Sequence, residues 1–296
     1  MNQDTDMQKT HSTLSFPWNN NSMVKKIYQE KNYKIIHTKA KNKNAIIFFS
    51  GNGLYFPNEE KIFSETIIEK NRYEWENISD NKKIKNKYSL IIFVRDIYKQ
   101  WYLNGINSEL DTQEKVIEEL KKITKGYKVT TCGNSAGGYM ATLVGISINA
   151  ENIFSFSGQF DLNSQKYKDS IIEENLNALK NKYYSLTENI KTAKSNIFFF
   201  YPGLCEQDIN QHNIIKGFNI FSFSFDTETH GQSCESSCYC YLLTCEADYL
   251  KKLFLKYKNQ NIDKKEFSKT IYKKFSLWKY FKLNCKNILK LKRTKL

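Results

Sequence analysis

One junction constrains this chain more than any other. A β-branched run, Tyr127–Cys132 (YKVTTC), passes without a spacer into Gly133-Asn134-Ser135-Ala136-Gly137-Gly138, and a run of small and apolar residues, about Ala136–Ile148, follows. A strand has to end, reverse and become a helix within a few residues. Backbone before and after the reversal is forced together, so only small residues fit at Gly133 and Gly137. The residue at the apex, Ser135, is held in a backbone conformation that side-chain-bearing residues avoid. Its hydroxyl stands at the carboxyl end of the strand and faces the N-terminus of the next helix, which favours developing negative charge. The blander alternative for the same residues is a glycine-rich helix start with a capping serine.

The rest of the chain repeats the alternation that this junction requires. Ala45–Ser50 (AIIFFS), Ser89–Val94 (SLIIFV), Ile153–Ser157, Ser195–Tyr201 (SNIFFFY) and Asn219–Phe225 read as buried strands. Glu109–Thr124 reads as an amphipathic helix with Val116, Leu120 and Ile123 on one face, stopped by Gly126. Residues 165–190 read as a polar-faced helix and Ser233–Tyr257 as one long helix. Buried strands alternating with helices predict an α/β fold: a mainly parallel sheet with helices on both faces. The spacing divides the chain into a polar lead-in (1–30), a catalytic domain (31–260) and a basic amphipathic C-terminal helical tail (261–296).

With 296 residues, 40% apolar and 15% aromatic, the chain can fill a core, which excludes disorder over most of its length. No apolar run is long enough for a membrane span, and the first residues lack an apolar signal core. The seven cysteines leave one thiol unpaired. Together these point to a cytoplasmic, reducing location. Residues 264–296 carry +11 of the net +14, so the body is nearly neutral and no general polyanion binder. In the tail Phe267, Ile271, Phe275, Trp278, Phe281, Cys285 and Ile288 recur every three or four residues with lysines between them. That pattern suits a helix lying on an anionic membrane surface, at the inner face of the membrane, or alternatively one packed on the body. No nucleic-acid motif is present. Cys234, Cys238, Cys240 and Cys245 match no common zinc spacing and read as buried thiols.

A serine hydroxyl needs a base. Of the four histidines, His11 lies in the lead-in, His37 ends an early strand and His212 falls on a helix after the Pro202 loop. His230 follows the last long strand, in a loop that returns to the carboxyl edge holding Ser135, and is the expected base. The acid that orients it should lie between Ser135 and His230 in the chain. Asp208, after the strand Ser195–Tyr201, is favoured, with Glu206 and Asp226 as alternatives. The oxyanion would be held by the backbone N–H of Ala136 and by one from the loop Ser50-Gly51-Asn52-Gly53-Leu54, at Asn52 or Gly53. At another strand end Arg95 suits a carboxylate or phosphate and Asp96 suits sugar hydroxyls. Trp101 and Tyr102 suit a sugar ring. Asp161 is a further rim candidate. The bland reading of these residues is a loop ion pair and core aromatics. No bound cofactor and no metal are expected.

These elements, over about residues 33–258, resemble the α/β-hydrolase fold: a glycine-rich oxyanion loop, the GNSAG elbow, an acid after the next-to-last strand and a late His-Gly. Within that group the chain is similar to serine acyl-transfer proteins encoded with bacterial capsule and surface-polysaccharide genes. The local part of this likeness is Arg95-Asp96, Trp101-Tyr102 and Gly105. The chain lacks the His-Gly-Gly-Gly motif of ordinary lipases and has no obvious lid. The resemblance implies O-acetyl transfer from acetyl-CoA to a polysaccharide or oligosaccharide acceptor. A carboxylesterase or deacetylase is the near alternative, and a non-catalytic glycan- or membrane-binding protein the remote one.

Overall fold

The structure is a computed structural model describing residues 21–164 and 183–275. Its strands are Tyr33–His37 (β1), Asn44–Phe49 (β2), Leu90–Val94 (β3), Lys128–Asn134 (β4), Asn152–Phe156 (β5), Asn196–Pro202 (β6), Ile220–Phe225 (β7) and Asn261–Ile262 (β8). They form one eight-stranded sheet in the order β1-β3-β2-β4-β5-β6-β7-β8. β1 is antiparallel to β3, and every other neighbouring pair is parallel. Every residue of β3 and β5 is buried, as strands covered on both faces require. Phe49 pairs with Gly133, so the carboxyl ends of β2 and β4 lie side by side. The glycine-rich loop and the elbow therefore share one edge of the sheet.

Side chains alternate between two cores. One takes Ile47, Phe49, Ile92 and Phe199 with the helices Gln113–Ile123 (α1) and Ala136–Ser147 (α2). The other is rich in phenylalanine, and Phe200 sits within it fully buried, parallel to Phe223 at 4.8 Å and close to Phe156 at 4.8 Å. Phe200→Ala is expected to destabilise the fold by about 3–5 kcal/mol through lost burial and a residual cavity. Urea unfolding checks this. A loss under about 1 kcal/mol would mean that the ring stack does not hold this face.

Several elements differ from the sequence expectation. α1 starts later than Glu109, because Asn107 Oδ1 accepts the N–H groups of Glu109 and Leu110 in a turn. Thr112 then caps the helix through Lys115 N. The expected long helix Ser233–Tyr257 is broken into a short turn Ser236–Cys238, a helix Tyr239–Leu242 and the helix Ala247–Tyr257. The carbonyl of Leu243 accepts the Tyr88 hydroxyl and that of Cys245 accepts Lys87 Nζ, while Glu246 is extended. These outside partners replace the helical bonds. Of the expected helix 165–190, residues 165–182 lie outside the described residues, and Thr187–Lys191 is helical.

The ends of the chain also differ. Ser22–Tyr28, assigned to the lead-in, is a helix capped by Asn21 that buries Val24 and Ile27; residues 1–20 lie outside the described residues. Residues 261–275 are built into the body rather than appended. β8 pairs with Ser224 and Phe225, and the helix Lys264–Phe275 buries Phe267, Ile271 and Tyr272 in the phenylalanine-rich core. The apolar face that a membrane-surface helix would present is thus spent over 264–275. Residues 276–296 lie outside the described residues. Among those described, no helix is long and apolar enough to cross a membrane.

Candidate active site

The elbow is built by backbone proximity. A Cβ on Gly133 would fall 2.1 Å from the carbonyl oxygen of Gly137, and one on Gly137 would fall 2.3 Å from that of Phe49. Neither position admits a side chain. Ser135 sits between them with φ +54° and ψ −121°, anchored by its N–H to the Phe156 carbonyl at 2.8 Å. Holding a serine there costs on the order of 1–3 kcal/mol, which the surrounding contacts must supply.

His230 arrives from the loop after β7. Its Nε2 lies 2.9 Å from Ser135 Oγ, and its Nδ1 lies 2.8 Å from Asp208 Oδ2. With the ring proton on Nδ1, the imidazole donates to Asp208 and accepts from the Ser135 hydroxyl. Asp208 stands in the first turn of the helix Glu206–Ile214 (α3), with its side chain 1% exposed against 30% for His230. Gly231, at φ +78°, donates its N–H to Ser157 Oγ at 3.2 Å, which ties the histidine loop to the end of β5. The competing acids Glu206 and Asp226 are exposed. His212 stacks on Tyr201 at 4.8 Å, and His37 ends β1.

Burial pushes the His230 imidazolium down, but hydrogen bonding to Asp208 and Cys205 and the charge on Asp208 outweigh it and hold the pKa up at about 9. The protonated pair therefore stabilises the fold fully below the ordinary value of 6.5, and this contribution fades as pH rises through about 9. Activity runs the other way, because the base must be neutral. kcat/KM is expected to climb with pH towards a midpoint near 9. A pH–rate profile flat above pH ~6.5, the ordinary histidine value, would contradict this.

The loop Ser50–Leu54, expected to face an oxyanion, is clamped from behind. The Glu74 carboxylate accepts the Gly51 N–H at 2.5 Å, the Glu74 N–H donates to Ser50 Oγ at 3.3 Å, and the Tyr102 hydroxyl donates to the Ser50 carbonyl at 2.7 Å. Burial raises the Glu74 pKa, against the lowering effect of the Gly51 N–H and Arg72. Gly51 is thereby occupied. Asn52 and Gly53 open the short turn Asn52–Leu54, and Ala136 opens α2; first-turn N–H groups have no acceptor within their own helix. Both turns lie on the sheet edge that holds Ser135.

The four residues expected on the substrate side are held by the body of the protein. Arg95 is buried, with Nε on Asn32 Oδ1, one Nη on the Arg72 carbonyl, and its plane over the Tyr73 ring. Asp96 is buried too, accepting the N–H groups of Tyr98, Gln100 and Tyr102. Burial lifts its pKa to about 6 against those hydrogen bonds. Both residues fasten the loop after β3. Tyr102 is a buried buttress for Ser50, and Trp101, half-buried, donates Nε1 to Gln159 Oε1 at 2.9 Å. Asp161 accepts the Asn163 N–H in a turn. Clefts of about 560 and 520 Å3 adjoin the site, one lined by Asp226, Gly231 and Lys264, the other by Glu74, Trp75 and Asn134. None of the four expected substrate residues lines either. The four clustered cysteines are buried free thiols.

Sequence reasoning passed over Glu74, Ser157 and Cys205. The first two act through single bonds to backbone and sit in no motif. Cys205 stands three residues before the favoured acid, in Cys205-Glu206-Gln207-Asp208, and its thiol lies against the His230 ring.

Among solved structures, the capsule O-acetyltransferase of Neisseria meningitidis serogroup A superposes with a TM-score of 0.50 at 17% identity, covering 76% of this chain and 92% of that one. The sheet order, the elbow and this superposition agree. The chain has the α/β-hydrolase fold. A variant of the same meningococcal enzyme in complex with CoA gives a TM-score of 0.44 at 16% identity over 76% of this chain and 92% of that one. A substrate-bound fluorophosphonate-binding serine hydrolase of Staphylococcus aureus gives 0.48 at 10% over 75% and 95%. No family model matches the chain, and no curated protein matches it in sequence. At these identities the hydrolase fold is what is shared. It hosts transferases, hydrolases and peptidases alike, and the residues at its sheet edge decide among them.

Proposed function

We propose that this protein is a serine acyltransferase that moves an acetyl group from acetyl-CoA to a hydroxyl of a bacterial surface polysaccharide. The reading is carried by one observation, the continuous chain from Ser135 Oγ through the His230 ring to buried Asp208, at 2.9 and 2.8 Å. His230 takes the Ser135 proton as Oγ attacks the acyl carbonyl. The N–H groups of Ala136 and of Asn52 or Gly53 hold the oxyanion. His230 then returns the proton to the leaving group, and the acyl-serine is released to an acceptor hydroxyl by the reverse exchange. A glycan acceptor is supported by the fold shared with the meningococcal capsule enzyme. The basic residues 276–296 would hold it near an anionic membrane surface.

Ser135 and His230 are both partly exposed, so water also reaches the acyl-serine. This supports a carboxylesterase or deacetylase as the second reading. Incubation with acetyl-CoA, with and without a capsular oligosaccharide, separates the two. Acceptor-dependent release of CoA with an acetylated sugar is the expected result. Release of acetate at the same rate without acceptor would assign the protein to the esterases.

A further inference from the structure

Cys205 has no part in the acyl-transfer steps, yet it is built against them. It is the N-cap of α3, and its side chain makes no capping bond. That position usually holds an oxygen that accepts a first-turn N–H, for which a thiol is a poor substitute. Side chains at the N-cap and three residues on are brought together by the helix itself, which places Cys205 beside Asp208. The backbone is fixed there, with the Cys205 N–H on the Pro202 carbonyl at 3.3 Å and the Cys205 carbonyl on Ile209 N at 3.0 Å. His230 closes the set: the thiol sulfur, a carboxylate oxygen of Asp208 and a ring nitrogen of His230 all lie within 4.8 Å of one another. Independently, the second carboxylate oxygen, Asp208 Oδ1, is buried without a hydrogen-bond partner in a side chain only 1% exposed. A buried carboxylate oxygen left without a partner is costly, and a cation would satisfy it.

We propose that Cys205, Asp208 and His230 form an inhibitory site for a soft divalent cation of the zinc class. Thiolate, imidazole and carboxylate together are a donor set zinc takes, with water as the fourth ligand, whereas magnesium and calcium prefer oxygen alone. Binding releases the thiol proton to solvent. The metal takes Nδ1, the ring nitrogen facing Asp208, and the proton that Nδ1 carried moves to Nε2. The nitrogen facing Ser135 is then a donor and can no longer accept the serine proton. The metal thus removes the base without touching Ser135, and Asp208 is drawn from orienting the ring to holding the ion.

The site itself is read without turnover, so its failure is distinguishable from failure of the acyl-transfer reading. Zn2+ is titrated into the full-length protein against a chromophoric chelator, and alkylation of Cys205 by iodoacetamide is followed by peptide mass spectrometry. Wild type should bind one ion that shields Cys205. Cys205→Ser and Cys205→Ala, checked for folding by thermal melts, should bind it about tenfold more weakly or worse. In a second arm, Zn2+ should slow fluorophosphonate labelling of wild type but not of the Cys205 variants, and Mg2+ should slow neither. Equal zinc affinity in wild type and variants, or unchanged alkylation of Cys205 with zinc bound, would overturn the proposal.

Discussion

His230→Ala is expected to lower kcat for acyl transfer by a factor on the order of 10⁵–10⁶, and to lower the thermal melt as well, because buried Asp208 loses its partner. The Ser135 hydroxyl has His230 Nε2 as its side-chain partner, at 2.9 Å. Without that acceptor the oxygen must attack as a neutral alcohol, which is a weak nucleophile. The imidazole is 30% exposed and sits on a loop, so the drop in the melt reports the lost Asp208 contact rather than a core cavity. The same assay should find His212→Ala near wild type, because that ring is stacked on Tyr201 and makes no contact with the site. A fall of less than about 100-fold in His230→Ala would mean that the proton leaves Ser135 by another route.

Asp208→Asn is expected to cost about 10⁴ in kcat. The carboxylate fixes the ring proton on Nδ1 through the 2.8 Å bond, whereas an amide can present its N–H₂ there and favour the wrong tautomer. The same change removes the hydrogen bond and charge that hold His230 near pKa 9, so the alkaline midpoint of residual activity should move down. Glu206→Gln and Asp226→Asn are the controls. Both side chains are exposed, and both variants should stay within about twofold of wild type, as surface changes usually do. A large loss in Asp226→Asn with little in Asp208→Asn would reassign the acid.

The elbow was legible in the sequence because its constraint is local: two glycines and a serine are required where backbone meets backbone, whatever surrounds them. Buried strands were legible for a similar reason, since β2, β3 and β6 must be apolar at nearly every position. What the sequence hid was direction and partner. Arg95 and Asp96 at a strand end look alike in sequence whether they face a ligand or fasten a loop, and the backbone N–H groups of Tyr98, Gln100 and Tyr102 that Asp96 accepts leave no sequence signal. The spacing of Phe267 and Ile271 marks an amphipathic helix but does not say what covers it; the cover is the sheet. Two-residue β8 is too short to leave a periodic signal. The break near Glu246 depends on Tyr88 and Lys87, which lie far away in the chain. Glu74 reaches Gly51 in the glycine-rich loop from a segment with no regular pattern.

Fluorophosphonate labelling followed by peptide mapping tests the serine nucleophile most directly. The reagent should modify wild type on the peptide holding Gly133–Gly137, at Ser135, and should leave Ser135→Ala unlabelled. Equal labelling of the two proteins, or a tag mapped to another serine, would contradict the account.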